Sequence, residues 1–154
     1  MFSKKNKPLI LFRNPGLYLE EVQDKGRGVF CLQDIKEGET VEVAPVMIFP
    51  TKESPNIHET MLTNYVFSAA SFPEKFLKSI NIDIPKDTCC LPLGITSLCN
   101  HMVDPNTKYS FSVDDLYPYA TLTALRDIPK GEELSVSYGD VWFARRKMRL
   151  VKRP

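Results

Sequence analysis

Side chains able to do chemistry gather at three places in this 154-residue chain. Asn100-His101-Met102-Val103-Asp104-Pro105-Asn106 sets two amides, an imidazole and a carboxylate within seven residues, a dense supply of donors and acceptors for a polar ligand. Ile95 and Leu98 precede it, so the segment is expected to leave a core. Taken alone, His101 reads as a core histidine with satisfied hydrogen bonds, and Asp104-Pro105-Asn106 as an ordinary turn. Gly26-Arg27-Gly28 lets a backbone come close to a ligand because no Cβ intervenes; alone it reads as a tight hairpin turn. Glu133-Leu134-Ser135-Val136-Ser137-Tyr138-Gly139 ends a short strand on a phenol where the chain turns. Trp142-Phe143 follows, and by itself is core-like.

The elements that must position these groups read as strands, a helical insert, then strands. Leu17–Val22, Gly28–Leu32 and Thr40–Ala44 have strand character, with turns at Lys25-Gly26-Arg27 and Lys36–Glu39. Pro45 and Pro50 bracket Val46–Phe49, which fits an edge strand. Met61, Leu62, Tyr65 and Val66 share a helical face, predicting a helix over 59–70. A second helix is expected from Pro73 to Ser79, then a loop over 81–92. Lys108–Val113, Tyr119–Ala124 and Leu134–Ser137 return to strands, and Trp142–Val151 suits a helix. No internal repeat is evident. The pattern predicts an α+β fold of small sheets, not alternating βαβ units.

Composition narrows the class. With 43% hydrophobic and 25% charged residues the chain is globular in type. No apolar run approaches the ~20 residues of a membrane span, and the lysine-bearing Met1–Lys7 lacks the apolar core of a secretory signal. The expectation is an intracellular protein, in cytoplasm or nucleus, or one delivered into a host cell. Cys31, Cys89, Cys90 and Cys99 contain no C-x-x-C pair, so no metal is expected and the thiols read as reduced. Net charge is +1, yet Arg145, Arg146, Lys147, Arg149, Lys152 and Arg153 are basic with no acid among them, which leaves residues 1–144 at −5. An acidic body suits a cationic peptide; the basic tail suits phosphate, in nucleic acid or a modified partner, or simply solvent.

In their order, these segments resemble the SET-domain protein lysine methyltransferases. That family runs from Gly-x-Gly through Asn-His-x-x-x-Pro-Asn to Glu-Leu-x-x-x-Tyr, and Ile128-Pro129-Lys130-Gly131-Glu132-Glu133 is similar to its lead-in to the last motif. The chain is most similar to the minimal stand-alone SET proteins of viral and bacterial type, in which Gly-Asp and aromatics also follow the tyrosine. It departs from the common pattern at Met102 and Val103, and lacks the cysteine-rich tail of many relatives. The resemblance implies a lead-in over 1–16, a SET catalytic domain over 17–143 and a basic tail over 144–154. It also implies a SET fold of mostly antiparallel sheets with a short helical insert and a knot-like C-terminal crossing, a rare exception to unthreaded chains.

For function, the resemblance implies methyl transfer from S-adenosylmethionine to a lysine ε-amine in a protein, with S-adenosylhomocysteine as product and a histone tail as one candidate substrate. Gly26, Arg27 and Gly28 would hold the methionine end by main chain. Asn100 and His101 would bind around the amino-acid and adenine portions, and Tyr138 would be catalytic. Tyr65, Val136, Trp142 and Phe143 would line the lysine channel. Val136 stands where relatives often carry Phe or Tyr, and its smaller bulk is expected to allow more than one methyl per lysine. The competing reading is a catalytically inactive SET-fold binding or scaffold protein. The intact tyrosine and Asn-His pair favour the enzyme.

Overall fold

The computed structural model describes residues 8–80, 88–114 and 117–146. In chain order the strands β1 (Phe12–Arg13), β2 (Leu17–Val22), β3 (Gly26–Cys31) and β4 (Thr40–Ile48) come first. A segment of short elements follows: α1 (Ser54–His58), a 3-10 turn at Met61–Asn64, β5 (Phe67–Ser68), a 3-10 turn at Ala69–Ser71, and α2 (Glu74–Ser79). Then come β6 (Cys89–Pro92), a 3-10 turn at Ile95–Leu98, β7 (Asn100–His101), β8 (Thr107–Asp114), β9 (Tyr117–Ala124), β10 (Glu133–Val136) and α3 (Asp140–Arg146). One sheet has the order β5-β6-β4-β9-β8 with β1 also on β4; the other has the order β2-β3-β10-β7. The described residues form two compact units. The first comprises the chain through Pro15, Thr40–Leu98 and Tyr109–Leu122; the second comprises Gly16–Glu39, Cys99–Lys108 and the chain from Thr123 on.

In the first unit, β4 carries a buried carboxylate. Glu42 is 1% exposed. It accepts from the backbone N–H of Ile95 (2.9 Å) and of Thr96 (3.0 Å), from the Thr96 hydroxyl (3.0 Å) and from Arg13 Nε (3.1 Å). A buried charge survives only when its lone pairs are taken up in this way. The effect is to clamp the 3-10 turn that leads into β7. In the same unit Val46, Ala69, Phe72, Leu77, Cys90 and Ala120 form an apolar core, with Phe67, Phe76 and Phe111 packed against them. Phe67 meets the edges of Tyr109 and Phe111 at 4.7 and 5.7 Å.

The second unit contains a small repetition that the sequence reading overlooked. Asp34-Ile35-Lys36-Glu37-Gly38-Glu39 and Asp127-Ile128-Pro129-Lys130-Gly131-Glu132 are two copies of one turn, packed reciprocally. Ile35 and Ile128 exchange both backbone hydrogen bonds (2.9 and 2.8 Å) and are fully buried. Asp127 accepts from Glu37 N and Lys36 Nζ, while Asp34 accepts from Lys130 N. Gly38 and Gly131 take φ of 80° and 83°, the left-handed region that favours glycine. Each turn launches a strand, β4 from the first and β10 from the second.

The strands at Leu17–Val22, around Gly28, and over 107–114, 117–124 and 133–136 agree with the reading. Other expectations are corrected. Residues 59–70 do not form one helix. Thr60 and Ser68 accept from Leu62 N and Ala70 N and so cap separate 3-10 turns, while Phe67 and Ser68 pair with Cys90 and Cys89. Local periodicity lost to sheet pairing. Pro45 does not start a separate edge strand, for β4 runs through it. β1 pairs with β4 only at Glu42 and Val43, and β6 joins from Val46 on, so Pro45 lies where no ladder donor is required. Its carbonyl still accepts from Leu93 N. Of the expected loop over 81–92, residues 89–92 are strand β6; residues 81–87 lie outside the described residues. The C-terminal helix begins at Asp140, and residues 147–154, with most of the basic tail, also lie outside them.

The Glu42 clamp makes a prediction. Glu42→Leu leaves three buried donors without an acceptor, and each costs about 1–3 kcal/mol. Urea denaturation should show a loss of at least ~3 kcal/mol, whereas Arg13→Ala, removing a partner that is half exposed, should cost under ~1 kcal/mol. Equal small losses would remove the carboxylate from this role.

Candidate active site

The Gly-x-Gly segment is part of a hairpin, but not its turn. β2 and β3 pair from Leu17↔Cys31 to Val22↔Gly26, and the chain reverses over Gln23-Asp24-Lys25 with Lys25 N donating to Val22 O at 3.1 Å. Gly28 sits inside β3 and is buried. A Cβ there would lie 2.7 Å from Glu133 Oε1 and 2.8 Å from Val22 Cγ2. Glycine is needed because the Glu133 carboxylate already occupies the space a side chain would take. Arg27 and Gly26 face an open groove shared with Leu19, Glu20 and Glu21.

β10 pairs antiparallel with β3 on one side and parallel with β7 on the other. The parallel register sets Ser135 beside Asn100 and Val136 beside His101, and Met102 N extends it by donating to Val136 O at 3.1 Å. The ladder thus brings the Asn-His segment against the strand leading to Tyr138, a meeting that the expected crossing requires. Asn100 Nδ2 donates to Arg27 O (3.0 Å) and to Glu133 Oε1 (2.7 Å). Both partners are acceptors, so the amide orientation is forced and Oδ1 is the end offered to an incoming donor. Lys25 Nζ reaches His101 O at 3.5 Å.

Tyr138 is held at both ends by the same segment. Its hydroxyl donates to Cys99 O (2.9 Å), and its backbone N–H donates to His101 Nδ1 (3.1 Å). The Tyr138 ring lies 4.7 Å from Trp142 and 5.4 Å from His101, and Phe143 presents an edge-on contact to His101 at 4.7 Å. Burial, with Lys25 nearby, holds the His101 pKa below its ordinary value of 6.5, against opposing pulls from the Val136 carbonyl and from Asp140. Nδ1 is an acceptor, so the proton of the neutral ring is on Nε2. That atom is buried and has no partner among the described residues.

Gly26, Arg27, Gly28, Asn100, His101, Val136, Tyr138, Trp142 and Phe143 therefore all fall in the second unit. Val136 is fully buried. Tyr65 belongs to the first unit, half-buried at the end of a 3-10 turn, and its backbone N–H donates to Leu62 O. Two residues at the site were not singled out from sequence. Glu133 is one. Asn106 is the other: it is 1% exposed, accepts from Ser135 N at 2.8 Å, and donates from Nδ2 to Glu133 O (2.8 Å) and Glu132 Oε1 (2.9 Å). With Thr107, whose hydroxyl donates to Ser135 O at 2.7 Å, it fixes β10. The signal was the Asn that closes the Asn100–Asn106 segment, which reads as a turn former when only local chemistry is weighed. Among the described residues no cluster of three His, Cys, Asp or Glu side chains could hold a metal ion, and the four cysteines are buried thiols outside any disulfide.

Known proteins resemble this chain in sequence and in fold. A histone-lysine N-methyltransferase of Schizosaccharomyces pombe, H3 lysine-37 specific, is 30% identical over 135 residues, spanning 86% of this chain and 80% of that protein. An H3 lysine-9 specific histone-lysine N-methyltransferase of Fusarium mangiferae is 29% identical over 148 residues, covering 86% of this chain and 40% of that protein. The structure of the Neurospora SET domain protein DIM-5, a histone lysine methyltransferase, has the same fold, with a TM-score of 0.61 at 23% identity over 90% of this chain and 54% of that one. The SET domain family matches residues 26–139, from the first glycine of β3 through the Tyr138 turn. The chain belongs to the SET-domain family.

Proposed function

We propose that this chain is a protein lysine N-methyltransferase that uses S-adenosylmethionine, with a histone tail as its substrate, and that residues 17–143 form its catalytic domain between a lead-in over 1–16 and a basic tail over 144–154. The observation that carries this reading is the convergence of Gly28, Asn100, His101 and Tyr138 through the β3-β10-β7 ladder. The donor set fits S-adenosylmethionine. A buried Nε2–H without a partner suits a ligand acceptor, and the oriented Asn100 Oδ1 suits an ammonium or amine donor. Gly26, Arg27 and Gly28 would hold the methionine end through main chain, with Asn100 and His101 around the amino-acid and adenine portions. When bound, S-adenosylmethionine supplies an electrophilic sulfonium methyl.

The chain's own work is alignment and charge control. Tyr138 gives its hydrogen to Cys99 O, so its oxygen acts as an acceptor toward positive charge and polarised C–H groups. The incoming lysine, with a free pKa near ~10.4, must lose a proton before it can attack. Loss of water around the amine in a channel walled by Trp142 and Phe143 disfavours its charged form, and water takes the proton. Positioning supplies the remainder of the rate. Tyr65 as a channel residue rests on the resemblance alone. The net −5 of residues 1–144 complements a lysine-rich tail. The same relatives favour an enzyme over an inactive scaffold, for each is named as a histone-lysine N-methyltransferase.

Two substitutions test the assignment. Asn100→Ala should weaken S-adenosylhomocysteine binding about tenfold or more, since the oriented Oδ1 offered to the ligand is lost and with it the amide that ties β7 to Arg27 O and Glu133. Tyr138→Phe keeps the ring, so affinity should hold while kcat falls by about 100-fold or more. Calorimetry beside a histone methylation assay separates the two, and near wild-type turnover by Tyr138→Phe would refute the catalytic assignment. Product analysis tests Val136. Wild type is expected to yield di- or trimethyl-lysine at long times, and Val136→Tyr to shift the mixture toward monomethyl-lysine. A wild-type product that stops at one methyl overturns the expectation.

A further inference from the structure

We propose that the His101 side chain is a positioning residue for Tyr138: its neutral imidazole, protonated on Nε2, accepts the Tyr138 backbone N–H at Nδ1 and so fixes the turn from which the phenol projects. This rests on the assignment of Tyr138 above. The β7–β10 ladder ends at Val136, and past it the chain turns through exposed Ser137 to Gly139 at φ 75°. Among the described residues, the strand pairing of this segment stops at Val136, short of the Tyr138 N–H. The ring of His101, opposite Val136 in register, supplies the acceptor at 3.1 Å. Two residues earlier in the chain, Cys99 O takes the Tyr138 hydroxyl at 2.9 Å. Tyr138 is therefore pinned at its backbone end and its reactive end by one short segment.

Only the unprotonated Nδ1 can serve. A doubly protonated ring would set an N–H against the Tyr138 N–H. The groups around the ring keep it neutral on balance. Burial among the uncharged rings of Tyr138, Trp142 and Phe143 disfavours a charged imidazole, and Lys25 from the β2–β3 turn, which binds the His101 carbonyl, opposes a second positive charge; the Val136 carbonyl and Asp140 at the start of α3 pull the other way. The hold is thus intact above the ordinary histidine range and is lost as pH falls through a depressed midpoint.

The test uses wild-type protein labelled with nitrogen-15, in which His58 is the only other histidine. Ring spectra at pH 8 should show His101 as the Nε2–H tautomer. The Tyr138 amide signal should move together with the His101 titration, at a midpoint below 6.5. In His101→Asn, the side-chain Oδ1 stands where Nδ1 stood, so the Tyr138 amide should keep its pH 8 position and cease to titrate. His101→Phe, with no acceptor, should displace it. On a substrate that wild type methylates, His101→Asn should turn over at least tenfold faster than His101→Phe. An Nδ1–H tautomer, a Tyr138 amide indifferent to the His101 titration, or equal rates for the two variants would overturn the proposal. The spectra need no turnover, so they decide the point even where a variant fails to fold or the methyltransferase reading fails.

Discussion

The site depends on a parallel ladder only two residues long. Parallel pairing is weaker per residue than antiparallel, and two pairs cannot persist by backbone hydrogen bonds alone. Here Ser135 and Val136 lie beside Asn100 and His101 because side chains close the ladder at both ends. Asn106 satisfies β10 from below, binding Ser135 and Glu133 through its amide. Asn100 crosses β10 to reach Glu133 and, beyond it, the carbonyl of Arg27 on β3. The three strands are stitched by two asparagines, and the glycine at 28 is the space that this stitching requires. Without it, the Asn-His segment and the tyrosine turn would have no reason to meet.

Part of this was legible in the sequence. The strand at Leu17–Val22 and the strands at Lys108–Val113 and Leu134–Ser137 were found from alternation and turn chemistry, to within a residue or two. These are elements in which local pattern and tertiary demand agree. The helix expected over 59–70 failed because the demand came from elsewhere: β6 needed a partner, and Phe67 and Ser68 supplied it. Pro45 misled for a related reason. Its missing donor is harmless only because β1 stops before it and β6 starts after it, facts about other strands. The reciprocal turns at Asp34–Glu39 and Asp127–Glu132 could have been seen as a repeat of Asp-Ile-x-x-Gly-Glu. They are separated by some ninety residues, and nothing local says that they face each other.

The candidate site divides in the same way. The order of its motifs pointed to the family, which matches from residue 26 to 139. What each residue does physically was not readable. Gly28 looked like a turn glycine, yet its constraint is a carboxylate 105 residues further along the chain. His101 looked like a core histidine or a cofactor residue. Its Nδ1 is committed to a backbone N–H 37 residues away. Glu133 stood out as the start of the strand motif that ends on Tyr138, with no role of its own, although it is the acceptor that orients Asn100. In each case the partner is distant in sequence, and residue type alone does not reveal it.

The second unit sets buried polar groups among its buried apolar side chains, at positions where apolar residues would cost less desolvation. Asn106, Thr107 and Ser135 are all buried, and each finds hydrogen-bond partners. Apolar contacts are non-directional and would hold β10 near β7 without fixing the rotation of a side chain. Amide and hydroxyl hydrogen bonds fix both distance and angle, which a displacement reaction needs more than it needs packing energy. Such a network stabilises only when it is complete, because a half-satisfied one is worse than an apolar core. It is complete here except at His101 Nε2, the single buried side-chain nitrogen or oxygen left without a partner among the described residues. That exception lies beside Tyr138, on a ring whose other nitrogen already has a structural task. An unmet donor in an otherwise satisfied network is a cost the fold carries in the absence of ligand, and a ligand acceptor placed there would remove it.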